Sequence, residues 1–299
     1  MRLRWLACVA LLASLPATRA LASTLEIHGL VQYFQDDIGQ ASDGFDQVSP
    51  DVNIADGAHV AAQGVGSAQN IGSAHFGLLG TQAGAESSGA RASFLSSGEV
   101  SWLDTFVITP ANPALLGTPG TFTFDVGVAG SGGVLVSPPA GQWSGTARWD
   151  AFVRISTPTF CFSPPCLSDA GGEWVASYAQ PAYYIGDPPS VRIGDTVGFF
   201  FGQEVELAVA LRTSADAQIF DFGSVESSAN FIGTLAWGGF SEVRDAQGAL
   251  IPASAFQVVS DSGTDWARAV PEPSTGLLLA AGFVALAETR RRLRRGRRT

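Results

Sequence analysis

The sequence predicts an all-β protein, a β-sandwich whose strand order, jelly-roll-like or immunoglobulin-like, is left open. Three observations predict it. Apolar and polar residues alternate at period two in several runs, and glycine (35 residues) and proline (16) punctuate them. No stretch of the central region holds a helical period over a dozen positions. Strands that bury one face need a second layer to cover it, which favours a sandwich over the runner-up, a barrel.

Leu25 to Phe34 is strand-like. Gln35 to Gln69 reads as a long acidic loop, because Asp36, Asp37, Asp43, Asp46, Asp51 and Asp56 stand among Gly, Ser and Asn. An amphipathic helix within Ala55 to Ala68 is the weaker alternative there, weakened by its glycines. Ala90 to Thr109 supplies one or two strands, and Asn112 to Pro119 a turn. Gly120 to Ser137 reads as a hairpin: Phe122, Phe124, Val126 and Val128 alternate, Gly130 to Gly133 turns, and Val134 and Val136 return. In Gln142 to Ser156, Trp143, Ala147, Trp149, Ala151, Val153 and Ile155 share one face, with Arg148, Asp150 and Arg154 on the other. Glu173 to Tyr184 is aromatic and extended. Val197 to Leu211 reads as one strand led in by Phe199-Phe200-Phe201. Phe231 to Val243 and Phe256 to Val259 complete the set.

The two ends of the chain divide it into three parts. Residues 1–22 read as a signal peptide: Arg2 and Arg4, an apolar core from Trp5 to Leu15, then small residues around Ala20 and Ala22. Residues 23–269 form the exported all-β region. Residues 270–299 hold Val270, Pro271, Glu272, Pro273, Ser274 and Thr275, then an apolar run from Gly276 to Ala287. Arg290, Arg291, Arg292, Arg294, Arg295, Arg297 and Arg298 follow, a basic stop that holds its end in the cytoplasm. The apolar run is short for a span, which wants about 20 residues, so it predicts a short or tilted transmembrane helix.

This order of motif, apolar helix and arginine cluster resembles the PEP-CTERM proteins of Gram-negative bacteria. The resemblance covers about a tenth of the chain. It implies a sorting signal read by exosortase, a membrane-embedded cysteine transpeptidase-like enzyme, with cleavage near Pro271 to Pro273. It also implies export across the inner membrane with help from signal peptidase, transient anchoring, and delivery to the cell surface or matrix. Proteins of this kind occur in species that make extracellular polysaccharide, so polysaccharide is an expected partner.

The exported region holds 25 Asp and Glu against 7 Arg, and the chain has no lysine. So acidic a body repels nucleic acid, which is excluded as a partner. The lack of lysine rules out a Walker loop, and Gly-x-Ser-x-Gly and His-Glu-x-x-His are absent. Glu204 and Glu206 share a strand face, as solvated acids commonly do, and no residue is assigned as catalytic. Cys161 and Cys166, the cysteines left after export, are expected to form a disulfide. Asp43, Asp46, Asp51 and Asp56 are candidate ligands for structural calcium, the one cofactor considered. His28, His59 and His75 lack the spacing of a zinc site. Trp174 and Tyr183 are the candidate glycan contacts, since aromatic rings stack on the apolar faces of sugars. Function is thus expected to be structural, adhesive or polysaccharide-associated, with a secreted polysaccharide-modifying enzyme as the alternative.

Overall fold

The computed structural model describes residues 23–35, 39–50, 53–62, 65–88, 91–137, 141–157, 166–177, 180–186 and 190–270. The expected signal peptide, residues 1–22, and the segment 271–299 fall outside them. The strands, in chain order, are β1 (Thr24–Gln35), β2 (Gly39–Ser49), β3 (Asn53–Ala62), β4 (Gly66–His75), β5 (Leu78–Ser88), β6 (Ala92–Pro110), β7 (Pro119–Ala129) and β8 (Ser131–Ser137). Then come β9 (Trp143–Ser156), β10 (Cys166–Ser177), β11 (Gln180–Gly186), β12 (Ser190–Phe200), β13 (Glu204–Ile219), β14 (Ser224–Asp245) and β15 (Phe256–Ser260).

They form two sheets. One runs β11-β10-β9-β13-β6-β1-β2, with β15 on the far half of β6 beyond the end of β1. The other runs β12-β7-β14-β5-β4-β3, with β8 also on β14. β5 packs over β13 and β6, β4 over β1 and β6, and β14 over β13 and β9. That is a sandwich with open edges, not a closed barrel, and the strand order is now explicit.

Alternation does what the sequence promised. Along β9 the odd positions from Ala147 to Ile155 are buried while Arg148 and Arg154 are exposed. The larger core gathers Trp102, Trp149, Trp237, Trp266, Phe106, Phe122 and Phe124 between the sheets. A second core, with Phe94, Val225 and Ile219, fills the other end. Also buried between the sheets, the hydroxyls of Thr81 and Thr213 share a hydrogen bond (3.0 Å), and Asn70 is fully buried with neither amide atom partnered.

Four expectations are corrected. The described residues of the expected acidic loop, 35–69, hold β2, β3 and the start of β4. Its alternation is hidden because the inward residues are small or weakly apolar, such as Ala58, Val60 and Ala68. The helix considered at 55–68 is likewise strand at 55–62 and 66–68.

The hairpin of 120–137 is not one. β7 and β8 run in the same direction, end to end, along one edge of β14: Val128 pairs with Leu235 and Ser131 with Asn230. Gly130 is small for a packing reason, since a Cβ there would lie 2.4 Å from the Phe231 ring. Finally, Val197 to Leu211 is two strands in different sheets. β12 pairs with β7, the chain turns at Gly202 (φ +81°), and β13 enters the other sheet between β6 and β9.

Candidate functional site

The outer face of the larger sheet presents a row of charges at right angles to its strands. Register sets Asp46 of β2 opposite His28 of β1, His28 opposite Glu99 of β6, Glu99 opposite Arg212 of β13, and Arg212 opposite Asp150 of β9. His28 Nδ1 lies 3.0 Å from Asp46. Arg212 donates two hydrogen bonds to Glu99 (2.8 and 3.0 Å), which raise its pKa further above the ordinary value, and its guanidinium lies 5.0 Å from the Phe152 ring centre. Arg148 donates to both oxygens of Asp150 (3.0 and 3.1 Å). The next row sets Leu30, Ser97, Ser214 and Arg148 side by side.

Together these residues line a groove of about 530 Å³. Gly29 and Gly98 face each other in its floor. On the inner side a Cβ at Gly98 would lie 2.5 Å from Asn70 Oδ1, and one at Gly29 would lie 2.2 Å from the Phe45 ring. Cross-strand pairs of opposite charge stabilise a solvated sheet modestly, about 0–1 kcal/mol each. The same groups form a bed of fixed donors, acceptors and hydroxyls. Glu99 and Asp150 are engaged by arginines and Asp46 by His28, and Glu206 likewise accepts from Arg154 (2.9 Å) and Ser156 (3.1 Å).

The residues singled out from sequence are scattered. Asp43 accepts from Gly44 N–H (2.9 Å) and His59 N–H (3.3 Å), and Asp56 accepts from Gln47 Nε2 (2.7 Å) and Gly57 N–H (2.8 Å). Asp46 faces His28, and Asp51 lies outside the described residues. Among the described residues no three His, Cys, Asp or Glu groups come together as a metal site. Cys161 lies outside the described residues and Cys166 opens β10, so nothing here supports the bridge between them. Trp174 stands opposite Tyr184 and Ala147, whereas Tyr183 stands opposite Val175. The two glycan candidates therefore hold register positions of opposite parity.

The sequence also hid how the exported region ends. After β15 the chain crosses the sheet edge as a strap that closes the larger core. Trp266 is fully buried, stacked on Trp102 (4.6 Å between ring centres) and edge-on to Trp237 (5.6 Å). Its Nε1 donates to the buried Asp104 (2.7 Å), and Trp237 Nε1 donates to the Trp266 carbonyl (2.8 Å). Asp104 also accepts from the Ser262 hydroxyl (2.5 Å), Ser262 N–H (3.1 Å) and Thr105 N–H (2.9 Å). Val270 donates its N–H to the Trp237 carbonyl (2.9 Å). Its side chain sits against Gly77 (φ +82°), where a Cβ would lie 2.4 Å away.

Burial raises the Asp104 carboxyl pKa above the ordinary 3.8 despite these hydrogen bonds. Between 3.8 and that raised value, the folded state therefore holds more protons than the unfolded one. Stability from this group accordingly rises as pH falls through that window. Urea unfolding between neutral pH and about pH 4 should show wild type gaining on Asp104→Asn as pH falls, and a gap that stays constant refutes this.

Overlapping this docked end, residues 269–295 match the model of the PEP-CTERM protein-sorting motif. The chain carries a PEP-CTERM sorting motif. The motif indicates export and a membrane-anchored sorting signal, and it implies exosortase processing. Among the described residues no helix is long and apolar enough to cross a membrane, and the predicted span at 276–287 lies outside them. No curated protein matches this chain. A solved structure of carbohydrate-binding modules of the β-sandwich superfamily is similar at 10% identity, covering 71% of this chain and 73% of that one. Its TM-score of 0.15 is too low to carry an argument.

Proposed function

We propose that the exported domain is a non-catalytic, adhesive or structural module that holds an uncharged, hydroxyl-rich polysaccharide on the outer face of its larger sheet. In this reading signal peptidase releases the N-terminus, exosortase processes the C-terminus, and the domain ends at the cell surface or in the matrix. The observation that carries the reading is the groove, with Glu99 and Arg212 at its centre and Ser97, Ser214 and Leu30 beside them. Paired carboxylates and guanidiniums offer both acceptors and donors to hydroxyls, and Leu30, 41% exposed, offers an apolar contact. An uncharged ligand suits a region with 25 acids and 7 arginines, which repels polyanions at long range.

The test uses the domain 23–270, which contains every described strand and both cores. In affinity electrophoresis through gels containing uncharged glucans, the wild type should be retarded. Glu99→Ala together with Arg212→Ala should weaken retention by about tenfold, as expected for loss of a few hydrogen bonds to the ligand. Migration unchanged by every glucan tested sinks the reading.

A further inference from the structure

We infer a second contact point for the same polymer, a slot for one sugar unit between Phe34 and Phe220 at the end of the sandwich where β13 turns into β14. It rests on the polysaccharide reading above. Phe34 and Phe220 are 46% and 52% exposed, and they line a cavity of about 290 Å³ with Arg91, Ser93 and Gln218. Phe34 stands opposite Ser93, and Ser93 opposite Gln218, so only a small side chain separates the ring from the amide. Phe220 is held in place, its backbone N–H donating to the Gln142 carbonyl (2.9 Å). Two phenyl rings kept in water forgo the burial that most aromatic side chains find.

Arg91 supplies the second, independent observation. The other six arginines of the exported region each face a carboxylate: Arg148 on Asp150, Arg154 on Glu206, Arg192 on Asp125, Arg212 on Glu99, Arg244 on Glu242 and Arg268 on Asp265. Among the described residues Arg91 pairs with none, and it is the one non-glycine residue there with positive φ (51°). An exposed cation on an uncommon backbone conformation, lining one cavity with two exposed rings, is arranged for a ligand rather than for the fold.

The chemistry fits a pyranose. Its C–H face stacks on phenyl, its hydroxyls accept from the Arg91 guanidinium, and they donate to Gln218 Oε1, while one N–H of Gln218 Nε2 donates to Asp216 (3.0 Å). Phe34, Ser93 and Gln218 lie six residues along their strands from His28, Glu99 and Arg212. At about 3.3 Å per residue that is about 20 Å, on the same outer face. A polymer reaches both places and a monosaccharide does not, so chain length should raise affinity through avidity.

The experiment is affinity electrophoresis and calorimetry of the domain 23–270 with long and short uncharged glucans and with a polyuronate. Phe34→Ala with Phe220→Ala should weaken binding of long glucan by about tenfold, the loss expected for stacking contacts. Arg91→Ala should weaken it by less, and Leu135→Ala, an exposed control on β8, should not change it. Unchanged thermal unfolding would show that the variants fold. If long glucan binds and responds to Arg212→Ala but not to the phenylalanine pair, the slot is overturned and the wider reading stands. If the phenylalanine pair matters and Arg212 does not, the slot stands alone. Binding of no glucan overturns both, and binding of the polyuronate alone overturns the uncharged ligand.

Discussion

Trp266→Ala should destabilise the domain by about 4 kcal/mol, the range for removing a large aromatic side chain from a core. The ring packs against both Trp102 and Trp237, which also meet each other edge-on, in the larger core. The substitution also takes a donor from the buried Asp104 carboxylate, leaving acceptor capacity unmet. Trp266→Phe separates the two effects, keeping most of the packing and losing the N–H, and should cost about 1–3 kcal/mol. Urea unfolding of the domain 23–270 measures both. A loss under about 1 kcal/mol for the alanine variant would mean that the strap is decoration on a core already closed without it.

Removing residues 271–299 should move the protein from the membrane and cell-surface fraction into the medium of its native host. The position of the cut matters. Val270 belongs to the fold through its bond to Trp237 and its packing on Gly77, so a chain ending there loses the sorting motif, the apolar run and all seven terminal arginines but no described contact. Immunoblots of medium, surface wash and membranes read the outcome, with a glucan wash to free any protein held by polysaccharide alone. If the truncated chain stays in membranes like the intact one, residues 271–299 do not anchor it.

Period-two patterning was readable wherever the inward residues are large. β9, the first part of β7 and the second half of β14 declare themselves through Trp149, Phe122, Phe124 and Trp237. It failed for β3 and β4, whose inward positions include Ala58, Ala68 and Asn70, while exposed aspartates suggested a loop. The glycines of 130–133 carried a turn signal, yet Gly130 serves the Phe231 ring, a partner a hundred residues away that no local window contains. The groove was half legible. Arg148 and Asp150 were assigned outward from parity, but their meeting with Glu99, Arg212 and His28 depends on the pairing of five strands. Phe34, Arg91 and Phe220 gave no sign, because exposure of a phenylalanine is a property of the fold and not of its neighbours in sequence.

The docking of Val270 also governs how force enters the molecule. Tension applied through the C-terminal segment meets no slack at Val270, which is already fastened to β14. The load passes at once to the Trp237 and Trp266 rings and from there into the larger core. A surface protein gripped by its C-terminus would therefore yield, when pulled in a single-molecule experiment, by tearing its strap from the sandwich rather than by paying out a thread.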